Sequence, residues 1–135
     1  MEQELCFCIE GKNLYLEQVL VEYMNIPIFF LCKNNQQHYL VLCTDMDDFN
    51  YLIIELSTSD LYNLLYGNIP MRDVFLKQKD YWEVKSNETI SKDIVSKHEI
   101  HHLDNSLLPK ENAYFQALTE DLKIFIQNLD VILKL

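Results

Sequence analysis

Residues 98–102 read His-Glu-Ile-His-His and hold three of the four histidines of the chain. In letters, the segment matches the HExxH motif of zinc peptidases, in which a helix presents both histidines to the metal and the glutamate is the general base. His98, Glu99 and His102 are therefore candidate residues of a metal-dependent hydrolase. The flanking residues show no helical stripe, and a zinc site needs three or four ligands. The pattern favours a chance match on a strand-like segment, and the hydrolase is kept as an alternative function.

Other groupings give weaker signals for chemistry. Asp45, Asp47 and Asp48 could surround a hard cation, but the glycine and the distant glutamate of an EF-hand are missing, so a solvated turn is expected. Two glycines cannot build a phosphate-binding loop, and no Gly-x-Ser-x-Gly elbow is present. These signals favour a non-enzymatic protein and leave the question of an enzyme open, and no cofactor and no metal are expected.

The cysteines are expected to be reduced, metal-free and part of the core. Apolar, strand-like runs surround all of them, which is typical of buried thiols in a reducing compartment. They are Cys6, Cys8, Cys32 and Cys43.

The main signal for secondary structure is an apolar run from Pro27 to Leu56, which two short polar loops interrupt. Three strands are expected, with residues 38–44 in the centre, 27–33 on one side and 49–56 on the other. The strands do not alternate between apolar and polar residues, so both faces of the sheet need a cover.

The loops predict a register. If residues 34–37 form the first loop, Lys33 lies opposite His38. With a second loop at residues 45–48, one face carries Ile28, Phe30, Cys32, Tyr39, Val41, Cys43, Leu52 and Ile54, and the other carries Phe29, Leu31, Leu40, Leu42, Tyr51 and Ile53.

The predicted fold class is α+β, in a single domain over residues 1–135. We expect an antiparallel β-meander of about five strands, two short helices after the third core strand, and a long C-terminal helix over about 114–133. Residues 57–60 offer helix caps, and Pro70 can start the second short helix, Met71 to Leu76. In that helix, Arg72 is expected to bridge to a neighbouring acid and Asp73 to lie in the first turn.

The C-terminal helix carries a short heptad-like stripe. The general expectation is that it covers one sheet face. The alternative is that part of it contacts a partner, because Ile124 and Val131 lie off the stripe. The candidate interaction residues are Leu118, Leu122, Phe125, Ile126, Leu129, Ile132 and Leu133.

The composition of the chain excludes some classes of binding partner. The net charge is −10 and Arg72 is the only arginine, so phosphate backbones repel the chain and no nucleic-acid binding is expected. No run approaches the ~20 apolar residues of a membrane span. Residues 1–4 lack the basic region of a signal peptide, so we predict a cytoplasmic protein without membrane contact.

The segments Leu14–Tyr23, Pro27–Asn34 and His38–Asp45 resemble a family of small bacterial proteins and domains of unknown function. The similarity continues through a Leu-x-x-Leu-x-x-Gly pattern at residues 61–67 and through residues 71–75, so it spans roughly residues 14–84. The resemblance implies an α+β domain of bacterial or phage origin and carries no activity.

Three functions follow as hypotheses. The first is a non-enzymatic protein–protein interaction module, such as an immunity-type inhibitor or a defence-system accessory protein. The second is the metal-dependent hydrolase, and the third is a small-ligand binder with an aromatic pocket. The two short helices offer thin cover for the second sheet face, so residual apolar surface and a protein partner or a homo-oligomer are expected.

Overall fold

The computed structural model describes residues 3–35 and 37–133, and the side chains of that part as far as residue 129. Its strands form one antiparallel meander in which sequence order and sheet order are the same. The elements are β1 (Leu5–Ile9), β2 (Lys12–Tyr23), β3 (Ile26–Asn34), β4 (Gln37–Asp45), β5 (Asn50–Leu56), α1 (Thr58–Leu65), α2 (Met71–Leu76), β6 (Asp80–Lys85), β7 (Ile94–Glu99) and α3 (Glu120–Leu133).

The predicted meander of about five strands is wrong, because the described residues form seven strands in one sheet, which curls into a half-barrel. Besides the three strands of the apolar run, the sheet contains β1 and β2 before the run and β6 and β7 after it. Tight hairpins join most neighbours, and positive φ angles at Met24 and Asn25 close the turn between β2 and β3.

The predicted register between β3 and β4 is confirmed, since Lys33 pairs with His38. The predicted faces of β5 are wrong: Val41 pairs with Ile53, which moves Ile53 to the face of Val41. The turn lies one residue later than predicted, because Asp45 pairs with Asn50, and a register shift between Cys43 and Asp45 leaves one extra residue on β4. A one-residue shift exchanges the faces of every side chain beyond it.

The first core covers one face of the sheet and receives all three helices. Phe29, Leu31, Leu40, Leu52 and Ile54 from the strands meet buried residues of the helices and of the segment before α3. The helical and segment residues in this core are Leu61, Leu64, Leu65, Val74, Phe75, Leu103, Leu108, Phe115, Leu122, Ile126 and Leu129.

The second core lies on the opposite face, and its buried residues come from strands alone. They are Phe7, Ile9, Leu14, Phe30, Cys32, Tyr39, Val41, Ile53, Trp82 and Val84. The turn between β1 and β2 approaches β7, since the Glu10 Oε1 and Lys97 Nζ atoms are 3.9 Å apart. The expectation that α1 and α2 cover this face is therefore wrong, because the curled sheet encloses the second core itself.

The C-terminal helix begins at Glu120, six residues later than the predicted start at 114. Tertiary contacts hold the preceding segment in an irregular form: Phe115 is buried, and the Ala113 carbonyl accepts a hydrogen bond from the Met71 N–H. Thr119 Oγ1 then accepts from the Leu122 N–H at 3.2 Å and caps the helix.

Arg72 donates to backbone carbonyls and forms no salt bridge with an acid among the residues that the structure describes, so that prediction is wrong. Its Nε donates to the Pro109 carbonyl at 2.8 Å and its Nη2 to the Asn105 carbonyl at 3.0 Å. The guanidinium thereby fixes the irregular segment that carries Leu108 into the first core.

Candidate functional site

The residues of the HExxH match lie on a strand and a 3-10 turn. His98 is in β7, its ring stacks on Tyr81 with 5.3 Å between centroids, and its Nε2 lies 2.9 Å from Ser96 Oγ. His102 belongs to the turn Ile100–His102 that follows the strand. A zincin needs both histidines on one face of a helix, and this backbone does not provide that geometry.

The neighbouring groups are solvent-facing. His101 Nδ1 lies 3.4 Å from Glu99 Oε2, and both side chains are largely exposed. Among the residues that the structure describes, no group of three or more His, Cys, Asp or Glu side chains is placed to hold a metal ion. The segment thus has local polar contacts in place of a ligand set.

The acidic turn between β4 and β5 satisfies its own backbone. Asp45 Oδ1 accepts from the N–H groups of Asp47 and Asp48 at 2.9 and 3.1 Å. Asp47 and Asp48 are exposed. This is the arrangement of an Asx turn, in which the carboxylate shapes the loop.

The cysteines differ in environment more than the sequence indicated. All of them are free thiols, with Cys32 buried, Cys6 and Cys43 half-buried and Cys8 exposed. The expectation that every cysteine belongs to the core is wrong for Cys8, because it stands between the buried Phe7 and Ile9 and therefore lies on the opposite, exposed side of β1.

The candidate interaction residues of the C-terminal stripe divide between core and surface. Leu122, Ile126 and Leu129 are buried in the first core, and Phe125 packs against it. Leu118 precedes the helix and is 80% exposed. Ile132 and Leu133 lie within α3, but their side chains are outside the described residues.

A groove lies between α1, the segment before α3, and α3 itself. Its volume is about 570 Å³, within the range of ligand and peptide pockets. We call it the α1–α3 groove. Its lining residues are Leu65, Tyr66, Phe115, Gln116, Ala117, Lys123, Ile126 and Gln127.

Exposed apolar side chains extend the groove at its margins. Tyr62 and Tyr66 stack with 4.5 Å between ring centroids, and both are more than a third exposed. Tyr114 and Leu118, which flank the lining residues in the chain, are 48% and 80% exposed. Together with the groove floor they form an aromatic and aliphatic surface of the kind found at interaction sites.

The tyrosines of this surface were missed in the sequence, although a signal was present. Leu61, Leu64 and Leu65 form the buried face of α1, and Tyr62 and Tyr66 stand four residues apart beside that face. Two such aromatic residues on the outer side of a short helix predict an exposed ring pair.

Glu17 and His38 form a second unpredicted feature. The Glu17 Oε1 and His38 Nδ1 atoms are 2.7 Å apart across β3, and 10% and 18% of their side-chain surfaces are exposed. The pair satisfies two polar groups at the end of a largely apolar sheet face.

No helix in the described part of the chain is both long and apolar enough to cross a membrane. Comparisons with protein-family models, with curated proteins and with solved structures found no match to this chain, so the resemblance over residues 14–84 stays a prediction.

Proposed function

We propose that this protein is a non-enzymatic interaction module that binds another protein through the α1–α3 groove and its exposed margin. The observation that carries the proposal is the exposure of Leu118 and of the stacked Tyr62–Tyr66 pair beside an apolar groove. Large apolar side chains that cluster outside the cores are typical of a docking surface.

The groove favours an apolar anchor from the partner. Phe115 and Ile126 are buried and form its floor, while Lys123, Gln116 and Gln127 contribute polar groups at the side. An aromatic or aliphatic side chain can enter between the floor and the Tyr66 ring, and the polar groups can bond to the partner's backbone.

Charge favours a basic partner over a second copy. The chain has a net charge of −10, and α3 begins with the exposed carboxylates of Glu120 and Asp121. Two copies would bring like charges together, whereas a partner with a basic rim gains attraction and a faster association. We therefore propose a hetero-complex.

Within this class, the role we propose is an immunity-type inhibitor or a defence-system accessory protein, because both act by stoichiometric binding. We place it in the cytoplasm, since reduced thiols, one of them exposed, suit a reducing compartment.

The test is affinity capture from the native host with three forms of the protein: wild type, Leu118→Asp and Ile94→Asp. Leu118 and Ile94 are 80% and 61% exposed, so neither change should disturb a core, and Ile94 lies on β7 away from the groove. A captured protein is then purified and titrated by calorimetry at low and high salt.

We expect a 1:1 complex that weakens with salt, loses at least about tenfold in affinity with Leu118→Asp, and changes less than about twofold with Ile94→Asp. Equal binding by Leu118→Asp would refute the surface. A homodimer that Leu118→Asp dissociates, as seen by light scattering, would show that a second copy occupies the groove. A small molecule found in the groove of the purified protein would show that a ligand occupies it. Either result would refute the hetero-complex.

A further inference from the structure

The curl of the sheet builds a cavity at the edge of the second core. Phe7 of β1 and Tyr51 of β5 are separated by three strands in the sheet, yet their ring centroids lie 5.2 Å apart. A cavity lined by both residues has a volume of about 250 Å³ and is partly open to solvent. This volume is below the ~300–1,000 Å³ of pockets for drug-sized ligands, so the cavity suits a small head group. The lining residues are Glu4, Leu5, Cys6, Phe7, Leu16, Pro27, Phe30, Tyr51 and Ser86.

Three aromatic rings of this lining stand in two orientations. The rings of Phe7 and Phe30 are nearly parallel, with 12° between their planes and 6.3 Å between their centroids. The Tyr51 ring is inclined by 71° to Phe7 and by 82° to Phe30. Phe7 and Phe30 are buried and Tyr51 is half-buried, so packing holds all three rings in place. Several aromatic rings around one cavity are the lining by which proteins bind quaternary ammonium groups, because each ring attracts a cation to its face.

A carboxylate belongs to the same cavity. Glu4 lies just before β1, and its carbonyl accepts a hydrogen bond from the Leu16 N–H at 2.8 Å, which fixes its backbone to β2. Its Oε2 atom lies 3.9 Å from Sγ of Cys6, another lining residue. In the described part of the chain, the lining includes no lysine and no arginine. A cation in the cavity therefore meets a negative charge at short range, and the net charge of −10 adds attraction at long range.

We propose that this cavity binds a small organic cation with a quaternary ammonium head group, with the aromatic rings as its walls and Glu4 as its counter-ion. A metal ion needs several oxygen or nitrogen ligands, which one carboxylate among apolar residues does not supply. An anion would meet the Glu4 carboxylate at short range and be repelled. The cavity shares no lining residue with the α1–α3 groove, so this proposal does not rest on the proposed protein complex.

The experiment compares choline with its neutral isostere 3,3-dimethylbutan-1-ol, which has a similar shape and no charge. Each probe is titrated into isotope-labelled protein, and the shifts of the backbone amide signals in NMR spectra locate the site and give the affinity. We expect choline to bind in the millimolar range, because so small a ligand makes few contacts. The largest shifts should lie at the lining residues, and the neutral isostere should bind at least about fivefold more weakly.

Two variants test the role of the carboxylate. Glu4→Gln should weaken choline binding at least about threefold and leave the neutral isostere within about twofold, because only the charge is lost. Glu111→Gln removes the same charge at an exposed position that is not part of the lining, and it should leave choline binding within about twofold. This control separates the effect of Glu4 from general attraction by an acidic chain.

Two further variants test the aromatic wall. Tyr51→Phe keeps the ring and should bind choline within about twofold of the wild type, whereas Tyr51→Leu removes the ring and should lose at least about threefold. Equal affinity for choline and its isostere, equal losses in Glu4→Gln and Glu111→Gln, shifts confined to the α1–α3 groove, or no binding at millimolar concentrations would overturn the proposal. If Tyr51→Leu does not fold, the two probes and Glu4→Gln still decide it. The proposed protein complex is tested separately, by Leu118→Asp.

Discussion

Asp60 holds in place the helix that carries the exposed tyrosines. Its replacement by asparagine should lower the free energy of unfolding by an amount that depends on pH. Asp60 is only 6% exposed. Its carboxylate accepts hydrogen bonds from Lys77 Nζ and, at 3.0 Å, from Gln78 Nε2. Its own N–H donates to Ser57 Oγ, the N-cap of α1. One carboxylate thus ties the start of α1 to the end of α2.

The pKa of Asp60 shows the sign of the effect. Burial raises it, but the hydrogen bonds from Lys77 and Gln78 and the positive charge of Lys77 outweigh burial and hold the pKa of the folded state below its usual value. A carboxyl whose folded pKa is depressed adds stability above its unfolded pKa of about 3.9 and loses it as the pH falls through the folded pKa.

The expected magnitude follows from the contacts. A hydrogen bond to a charged group contributes about 1.5–3 kcal/mol net, but the Lys77 side chain is half exposed, so solvent screens that contact. Asparagine keeps the shape and one acceptor for Gln78. We therefore expect Asp60→Asn to lower the free energy of unfolding by about 1–2 kcal/mol at pH 7, which is about 3–8 °C in melting temperature for a domain of this size.

The assay is urea unfolding of wild type and Asp60→Asn from pH 7 down to the acid range, with Asp47→Asn as the control in an exposed turn. The difference between wild type and Asp60→Asn should shrink as the pH falls below about 4, while Asp47→Asn stays within about 0.5 kcal/mol throughout. Equal stability at pH 7, or a difference that does not change with pH, would show that the ion pair contributes nothing to folding.

Three further predictions concern the cores and their supports. Phe7→Ala should cost about 3–5 kcal/mol in urea unfolding because it empties the second core, whereas Tyr23→Ala at an exposed hairpin tip should cost less than about 0.5 kcal/mol. Arg72→Lys should cost about 1–2 kcal/mol by the same measurement, since a lysine cannot reach both carbonyls in the geometry of the guanidinium. Burial, with a smaller effect of Cys43, raises the pKa of Tyr51 to about 12, so Tyr51→Phe should remove a loss of stability that develops above pH ~10, as followed by thermal unfolding with tyrosine absorbance.

The central meander could be predicted because short polar loops separate strand-length apolar runs. The Lys33–His38 pair follows from centring the hairpin on the polar residues between the two apolar runs, and the strands continue one pair further than predicted, to Asn34 and Gln37. The faces of β5 could not be predicted the same way. Their assignment depends on a bulge near Cys43 whose backbone geometry leaves no clear mark on the residue types.

The helices show the same division between local and tertiary control. Ser57 caps α1 as its residue type predicts, and α2 spans the predicted residues. The predicted start of α3 was wrong because contacts between residues distant in sequence outweigh helix propensity. Phe115 enters the first core, and the Ala113 carbonyl accepts a hydrogen bond from the Met71 N–H. The candidate site could not be predicted for the same reason, since Leu118 lies in the irregular segment before Glu120 and not on the predicted helix.

The curl of the sheet separates the second core from the α1–α3 groove. Because the strands enclose the second core, the groove on the side of the first core is the surface that we propose for a partner. Phe7 lies in the second core, on the other side of the sheet from the groove. Changes at distant sites without shared contacts add independently. Leu118→Asp should therefore leave the cost of Phe7→Ala in urea unfolding unchanged, and a folded Phe7→Ala protein should bind the partner as the wild type does. Coupling between the two changes would mean that the sheet transmits a rearrangement from one core to the other.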